Sequence, residues 1–298
     1  MTDANAAGIG IVGVGNISSK YIEGIRRFPQ LTIVGCADLE PGRASAAGLR
    51  YGIHSFESVE ELLASPEVSA VVNITTPLAH AQVSLAAIAA GKDVYVEKPL
   101  AATLADARSV LAAAAAAGRL VGCAPDTSLG SAVQTGRWAI DEGLIGEPIG
   151  AACFVPHTHA EEWHPDPRFL FQAGAGPLLD MGPYYVTALV TCLGPIAEVA
   201  GMARIGATPR IMTAENRVIE SFEAEVATHA SAAVRFASGV VGTMLMSFDI
   251  WHDDYPHIEI YGTKGALRLP SPNDFDGEVT VRLNTDREWE TVPPRIAV

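Results

Sequence analysis

Ile9-Gly10-Ile11-Val12-Gly13-Val14-Gly15-Asn16-Ile17-Ser18 is the stretch that decides the fold. The apolar run from Gly8 to Val14 reads as a strand, and it enters a glycine turn that opens directly into an amphipathic run from Ser18 to Arg27. The turn has the form G-x-G-x-x-G with Ser18 in the third place. Gly13 permits the sharp turn, Gly15 lets a pyrophosphate approach the backbone, and the third position needs a small side chain where helix meets strand. Amides of the turn, Asn16 and Ile17 among them, and the helix dipole would then face the phosphates. The same glycines also suit a tight strand-to-helix turn in a sheet that binds no nucleotide.

Asp38 weighs against that second reading. It stands at the end of the next apolar run, Leu31 to Ala37, where a carboxylate can accept from both hydroxyls of an adenine ribose. A carboxylate there repels a 2′-phosphate, and Leu39 and Glu40 offer that phosphate no cation, so NAD is favoured over NADP. NADP is not excluded, because Arg43, one helical turn away, can swing toward a phosphate.

Working outward, β-branched runs alternate with alanine-rich amphipathic runs up to residue 125, which is the rhythm of βαβ units. Strands are predicted at Ala70 to Ile74, Asp93 to Val96 and Leu120 to Cys123. Helices are predicted at Pro41 to Arg50, Val59 to Ala64, Pro77 to Ala90 and Leu104 to Ala117. Strands apolar at nearly every position are buried on both faces, as in a parallel sheet covered by helices. Thr76 can cap a helix with Pro77 at its first position, and Gly91 and Gly118 close two helices.

Past residue 125 the rhythm changes. A helix at Ser131 to Glu142 and a strand at Ile149 to Val155 precede a loop rich in Pro, His and aromatics, Pro156 to Gly176. One helix is predicted over Leu178 to Leu193. Long strand-like runs follow at Glu198 to Ile205, Glu225 to Phe236, Val240 to Asp249, His257 to Tyr261, Ala266 to Leu269 and Val279 to Leu283, the pattern of a largely antiparallel sheet. The expected organisation is α/β: a doubly wound parallel sheet over residues 1–125, then an α/β domain with a large, mostly antiparallel open sheet over 126–298.

Two further segments carry chemistry. In Glu97-Lys98-Pro99 the proline excludes helical geometry at Lys98, so the lysine is held extended at the carboxyl edge of the parallel sheet, where such folds bind ligands. In Gly174-Ala175-Gly176-Pro177-Leu178-Leu179-Asp180-Met181-Gly182-Pro183-Tyr184-Tyr185, Asp180 and Tyr184 are four apart and share a face of one helix. Gly182 and Pro183 are costly inside a helix, which points to close approach there.

Composition excludes several partners. The 298 residues carry 20 basic and 34 acidic side chains, a net charge of −14, with no basic run to track phosphates. Nucleic acid and anionic membrane are therefore poor partners. Despite a mean hydropathy of +0.23 no apolar run is long enough to span a bilayer. Cys36, Cys123, Cys153 and Cys192 are widely spaced, so free thiols in a reducing compartment are expected. No export signal is evident, and a cytoplasmic location follows. His157, His159, Glu162 and His164 fit no compact zinc template, and no metal is expected.

The glycine turn, Asn73 to His80, Glu97-Lys98-Pro99, Trp163-His164-Pro165 with Phe169, the Gly-Pro-Leu-Leu-Asp-Met-Gly-Pro-Tyr-Tyr segment, and Ser247-Phe248-Asp249 before Tyr261-Gly262 together resemble the Gfo/Idh/MocA family of sugar and inositol dehydrogenases. The resemblance runs over nearly the whole chain. It implies NAD(P)-dependent hydride transfer to or from a carbon of a sugar, sugar derivative or cyclitol, and a homo-oligomer through the C-terminal sheet. Lys98 matches the family's catalytic lysine and Asp180 its active-site aspartate. Tyr184 stands where many members carry histidine. A phenol titrates near about 10, so acid/base work near neutrality requires a neighbouring cation, which Lys98 can supply. Lys98 and Tyr184 are expected to share proton transfer, oriented by Asp180. Thr75, Pro77, His80 and Glu97 join the cofactor set, while Trp163 and His164 join Lys98, Asp180 and Tyr184 on the substrate. Two other readings stand beside this one: a relative that retains NAD for elimination or glycoside cleavage, and a cofactor-binding regulator without chemistry. Family chains usually continue beyond the strand region, so this one is also expected to be short at its C-terminus.

Overall fold

A computed structural model describes residues 6–156, 161, 166–212, 220–251 and 254–295. The chain divides into two compact units, Met1–Ala124 and Pro125–Val298.

The first unit alternates strand and helix: β1 (Ala7–Val12), α1 (Ser18–Ile25), β2 (Leu31–Ala37), α2 (Pro41–Tyr51), β3 (His54–Ser55), α3 (Val59–Ala64), β4 (Ala70–Asn73), α4 (Pro77–Ala89), β5 (Asp93–Val96), α5 (Leu104–Ala117) and β6 (Val121–Cys123). The six strands are all parallel in the order β3-β2-β1-β4-β5-β6. The order reverses between β1 and β4, where a doubly wound sheet opens a ligand crevice at its carboxyl end. Alternation along each strand fills both faces. Ile9, Ile11, Cys36, Val72 and Ile74 pack with Ile22 and Ala44, whereas Val12, Ala37, Val71, Val94 and Val96 pack with Leu62, Ile88 and Val110. The caps agree in part with expectation: Gly118 ends α5 with φ +63°, but Thr76 precedes α4 without a side-chain cap.

The second unit begins with a 3₁₀ turn and continues with α6 (Ser131–Asp141), β7 (Pro148–Pro156), a second 3₁₀ turn at Pro167–Phe171, α7 (Gly176–Asp180) and α8 (Gly182–Leu193). Then come β8 (Ile196–Arg204), β9 (Arg210–Met212), β10 (Glu220–Phe222), β11 (His229–Phe236), β12 (Val241–Ser247), β13 (Ile258–Gly262), β14 (Gly265–Leu269), β15 (Val279–Leu283) and β16 (Glu290–Val292). Eight strands form one sheet in the order β16-β15-β14-β13-β7-β12-β11-β8, and β7 with β12 is its parallel pair. The helical face is the core, where Cys153, Met244, Ile258, Ile260 and Leu267 meet Tyr185 and Leu189.

Two expectations need correction. The helix expected over Leu178 to Leu193 is two helices, because Pro183 has no N–H to continue the ladder and instead occupies the first turn of α8. The strand expected from Glu225 starts at His229, because the Glu225 N–H donates outside the sheet, to Phe171 O at 2.8 Å. Below this segment Arg210 is buried, its Nε on Glu161 Oε1 at 2.5 Å, a second guanidinium nitrogen on Asp249, and a third on Phe248 O at 3.2 Å.

Candidate functional site

The glycine turn is held by backbone and by one carboxylate. Gly13 has φ +91°, and a Cβ there would lie 2.8 Å from Ile74 O and 2.9 Å from Thr75 N, so no other residue fits. At Gly15 a Cβ would meet nothing within 4 Å, which is the room a pyrophosphate needs. Ser18 is buried and its hydroxyl donates to Gly15 O at 2.7 Å, tying the third position back to the second. Asn16 and Ile17 are exposed, and no side chain caps α1. Asp38 sits half-buried at the end of β2, where Oδ2 accepts the Val14 N–H at 2.9 Å and Oδ1 the Glu40 N–H at 3.0 Å. The carboxylate is thus aimed at the turn, and each oxygen keeps a lone pair for a further donor. Arg43 pairs with Glu40 at 3.0 Å on the open surface.

One turn of chain away, β4 and β5 end in a buried polar network. Asn73, fully buried, donates through Nδ2 to His80 O at 3.0 Å and to Ser84 Oγ at 3.1 Å, and its Oδ1 accepts the Thr75 hydroxyl at 2.7 Å. His80 is 1% exposed, with Nδ1 2.6 Å from Pro99 O and Nε2 3.0 Å from Thr75 O. Burial pushes its imidazole below the usual value, against the opposing pull of the two carbonyls. A neutral ring carries one N–H for two carbonyl acceptors, and the shorter contact, to Pro99, is the better placed to receive it. Both ring nitrogens of His80, expected in the cofactor set, thus face backbone carbonyls, those of Thr75 and Pro99. Pro77 opens α4 just beyond Thr75.

Glu97 completes this edge. Its Oε1 accepts the Tyr21 hydroxyl at 2.7 Å and its Oε2 accepts the Lys98 N–H at 2.8 Å, while the Glu97 N–H donates to Asn73 O at 2.9 Å. Lys98, half-buried, follows directly, and its peptide to Pro99 is cis. The lysine backbone is therefore fastened on both sides, by Glu97 before it and by His80 on Pro99 after it.

In the second unit Asp180 ends α7 and Tyr184 lies in the first turn of α8, with Met181 between the helices. The shared face of one continuous helix does not apply to them, because the ladder is interrupted. The close approach expected at Gly182 is real: a Cβ there would sit 3.0 Å from Met246 Sδ on β12. The adjacent tyrosines differ. Tyr185 is buried with its hydroxyl 2.8 Å from His257 Nδ1, and burial pushes its phenol upward, whereas Tyr184 is half-buried at the margin of the core. Phe154 stacks on Tyr255 with centroids 5.0 Å apart. Trp163 and His164, with His157, His159 and Glu162, lie outside the described residues. Among the described residues no group of three or more His, Cys, Asp or Glu side chains gathers as metal ligands. No helix of the described chain is long and apolar enough to cross a membrane, and the four cysteines are free thiols.

Two family models cover most of the chain. Residues 7–124 match the oxidoreductase family with an NAD-binding Rossmann fold, and residues 133–268 match the GFO/IDH/MocA C-terminal domain. The chain belongs to the Gfo/Idh/MocA oxidoreductase family. Among its relatives, 1,5-anhydro-D-fructose reductase from Ensifer adhaerens is 32% identical over 270 residues, covering 87% of this chain and 74% of that protein. Inositol 2-dehydrogenase from Pseudomonas fluorescens is 35% identical over 153 residues, 49% of this chain and 44% of the relative. An NAD-binding oxidoreductase from Klebsiella pneumoniae superposes with a TM-score of 0.81 at 25% identity, covering 97% of this chain and 80% of the other. Levoglucosan dehydrogenase in complex with NADH and levoglucosan shares the fold, with a TM-score of 0.82 at 21% identity over 98% of this chain and 85% of that one.

Read as a Gfo/Idh/MocA protein, the chain is an NAD-binding oxidoreductase whose cofactor half is the first unit. Reasoning from sequence missed Tyr21 and Ser84 as members of this edge. Neither carries a local signal: Tyr21 meets Glu97 across 76 positions, and Ser84 meets Asn73 across 11.

Proposed function

We propose that this Gfo/Idh/MocA protein transfers hydride between a nicotinamide cofactor and a carbon of a sugar, sugar derivative or cyclitol. The observation that carries the reading is the fastening of Lys98 at the carboxyl edge of the parallel sheet, beside a glycine turn with open space at Gly15 and the Asp38 carboxylate aimed across it. A nicotinamide, when bound, supplies the two-electron chemistry. The chain's own residues bind, orient and move a proton. Gly13, Gly15, Asn16 and Ile17 would hold the pyrophosphate, Asp38 the adenine ribose, and Thr75, Pro77, Glu97 and Lys98 the nicotinamide end.

For the proton, Lys98 is the central group. On oxidation of an alcohol the hydroxyl proton must leave as the hydride departs; the neutral Lys98 amine takes it and becomes the ammonium, and the Tyr184 hydroxyl relays that proton on to water. Asp180 orients the pair, and Trp163 and His164 join them on the substrate. The relatives named for 1,5-anhydro-D-fructose, inositol and levoglucosan favour a hydroxyl-bearing ring as substrate. NAD is preferred over NADP, because Asp38 repels a 2′-phosphate and Arg43 is engaged by Glu40. Residues 1–125 bind the cofactor, and 126–298 bind substrate and self-associate through the sheet. The compartment proposed is the cytoplasm.

The test is to release and identify any co-purified cofactor, then follow NADH absorbance over a panel of sugars and cyclitols with NAD and with NADP. Lys98→Met and Tyr184→Phe are assayed on the substrate found. Parental rates in both variants would remove the proton-transfer assignment, and no turnover on any polyol would remove the substrate class.

A further inference from the structure

Glu97 directly precedes the lysine to which proton transfer is assigned, and its side chain is turned back onto the chain. A glutamate at the end of a strand is long and freely rotating, so holding it in one place costs conformational entropy that some contact must offset. One carboxylate oxygen accepts the N–H of the very next residue, Lys98, at 2.8 Å. The other accepts the Tyr21 hydroxyl at 2.7 Å. Both contacts share one planar group, so whatever holds one oxygen also sets the direction of the other.

Tyr21 is itself held. It lies on α1, one turn after buried Ser18, whose hydroxyl is tied to Gly15 O. Its half-buried ring packs against Tyr95 on β5, with centroids 6.2 Å apart. Ring and hydroxyl therefore engage the same stretch of chain, Tyr95 and Glu97. In the sheet β4 stands between β1, which feeds α1, and β5. The Tyr21–Glu97 bond thus joins the two sides of the point where strand order reverses and ligands bind.

We propose that Tyr21 is a positioning residue for Lys98, acting through the Glu97 carboxylate, which rests on the reading of Lys98 as the proton-transfer group. Tyr21 fixes the plane of the carboxylate, the carboxylate fixes the Lys98 N–H, and the lysine stem is thereby aimed. The helix whose first turn faces the pyrophosphate and the lysine that serves the substrate then share one frame. Without the Tyr21 donor the carboxylate keeps its charge and turns to water, where donors are plentiful, and the Lys98 N–H is released. His80 still holds Pro99 O, so the expected result is a loosened lysine on an intact edge.

The experiment uses Tyr21→Phe, which keeps the ring against Tyr95 and removes only the donor. Amide hydrogen exchange is read residue by residue by NMR on the full chain, without substrate or added cofactor. The Lys98 N–H is expected to exchange about tenfold faster or more, while the Glu97 N–H, bonded to Asn73 O at 2.9 Å, keeps its rate. On the polyol that the wild type turns over, kcat is expected to fall about tenfold, short of the about 10²-fold that a 1 Å misplacement can cost, with the NAD dissociation constant within about twofold. In a Glu97→Ala background, adding Tyr21→Phe is expected to lower kcat no further, because the path to Lys98 is already cut. Unchanged exchange at Lys98, or equal acceleration at Glu97 and Lys98, overturns the inference, as does a full additional loss of kcat in the double variant. Lys98→Met at the parental rate, or a wild type that turns over no polyol, overturns the reading beneath it, while the exchange measurement still decides whether Tyr21 holds Lys98.

Discussion

The parallel sheet of the first unit and the eight-stranded sheet of the second handle their ends in opposite ways. At the carboxyl edge of the parallel sheet, Asn73, Thr75, His80, Glu97 and Pro99 are joined side chain to backbone, and the chemistry-bearing Lys98 is fixed between them. The second sheet concentrates its order in an apolar core under α6 and α8 and, among the described residues, ends at the long exposed strand β8. One edge is over-determined by side-chain hydrogen bonds, and the other ends in a long exposed strand.

The contrast can be broken by mutation, beginning with the largest effect. Lys98→Met is expected to lower kcat by about 10²–10⁴-fold on an identified substrate, the usual range for a lost proton-transfer group, with NAD affinity changing far less; steady-state kinetics and calorimetry read the two separately. Equal losses in both would recast the lysine as a binding residue. In the second unit Ile260→Ala, at a fully buried position, is expected to cost about 2–5 kcal/mol in urea unfolding. Val199→Ala on the bare edge should stay within about 0.5 kcal/mol. Comparable costs would mean that β8 is not the open edge described.

Asp38→Ala is expected to weaken NAD by about 1.5–3 kcal/mol, the value of a charge-assisted hydrogen bond, and to narrow the preference over NADP. An unchanged ratio of the two dissociation constants would detach Asp38 from the ribose. The smallest effect concerns His80. Its folded-state value lies below the ordinary 6.5, so below that pH the unfolded chain takes up the proton first. The stability His80 contributes is therefore present above 6.5 and lost as pH falls through its folded value. The thermal midpoint of the wild type should fall with acid more steeply than that of His80→Phe; parallel profiles would mean that the ring is not held as described.

The legible part of the fold was local. Gly13, Gly15 and Asp38 could be read because a positive φ, a close approach and a carboxylate at a strand end each constrain a residue through its immediate neighbours. The resemblance to Gfo/Idh/MocA proteins came from motif order along the chain and was borne out by the family models. The break at Met181 was half visible: Pro183 announced it, but the apolar run carried on through Leu193 and read as one helix. The short strands β9, β10 and β16 span three residues each, too few for alternation to register. The burial of His80 had no signal, because it depends on a carbonyl 19 residues further on.

The sequence by itself determined the doubly wound sheet, its glycine turn and the residues at its carboxyl edge, since strand alternation, turn chemistry and proline restriction act within a few residues. Only the tertiary structure decided that His80 is a buried tie, that Tyr185 is bound to His257 while Tyr184 stays at the core margin, and that β8 is the long exposed edge. Those outcomes depend on which distant segments come to lie against each residue, and a linear pattern carries no record of that packing.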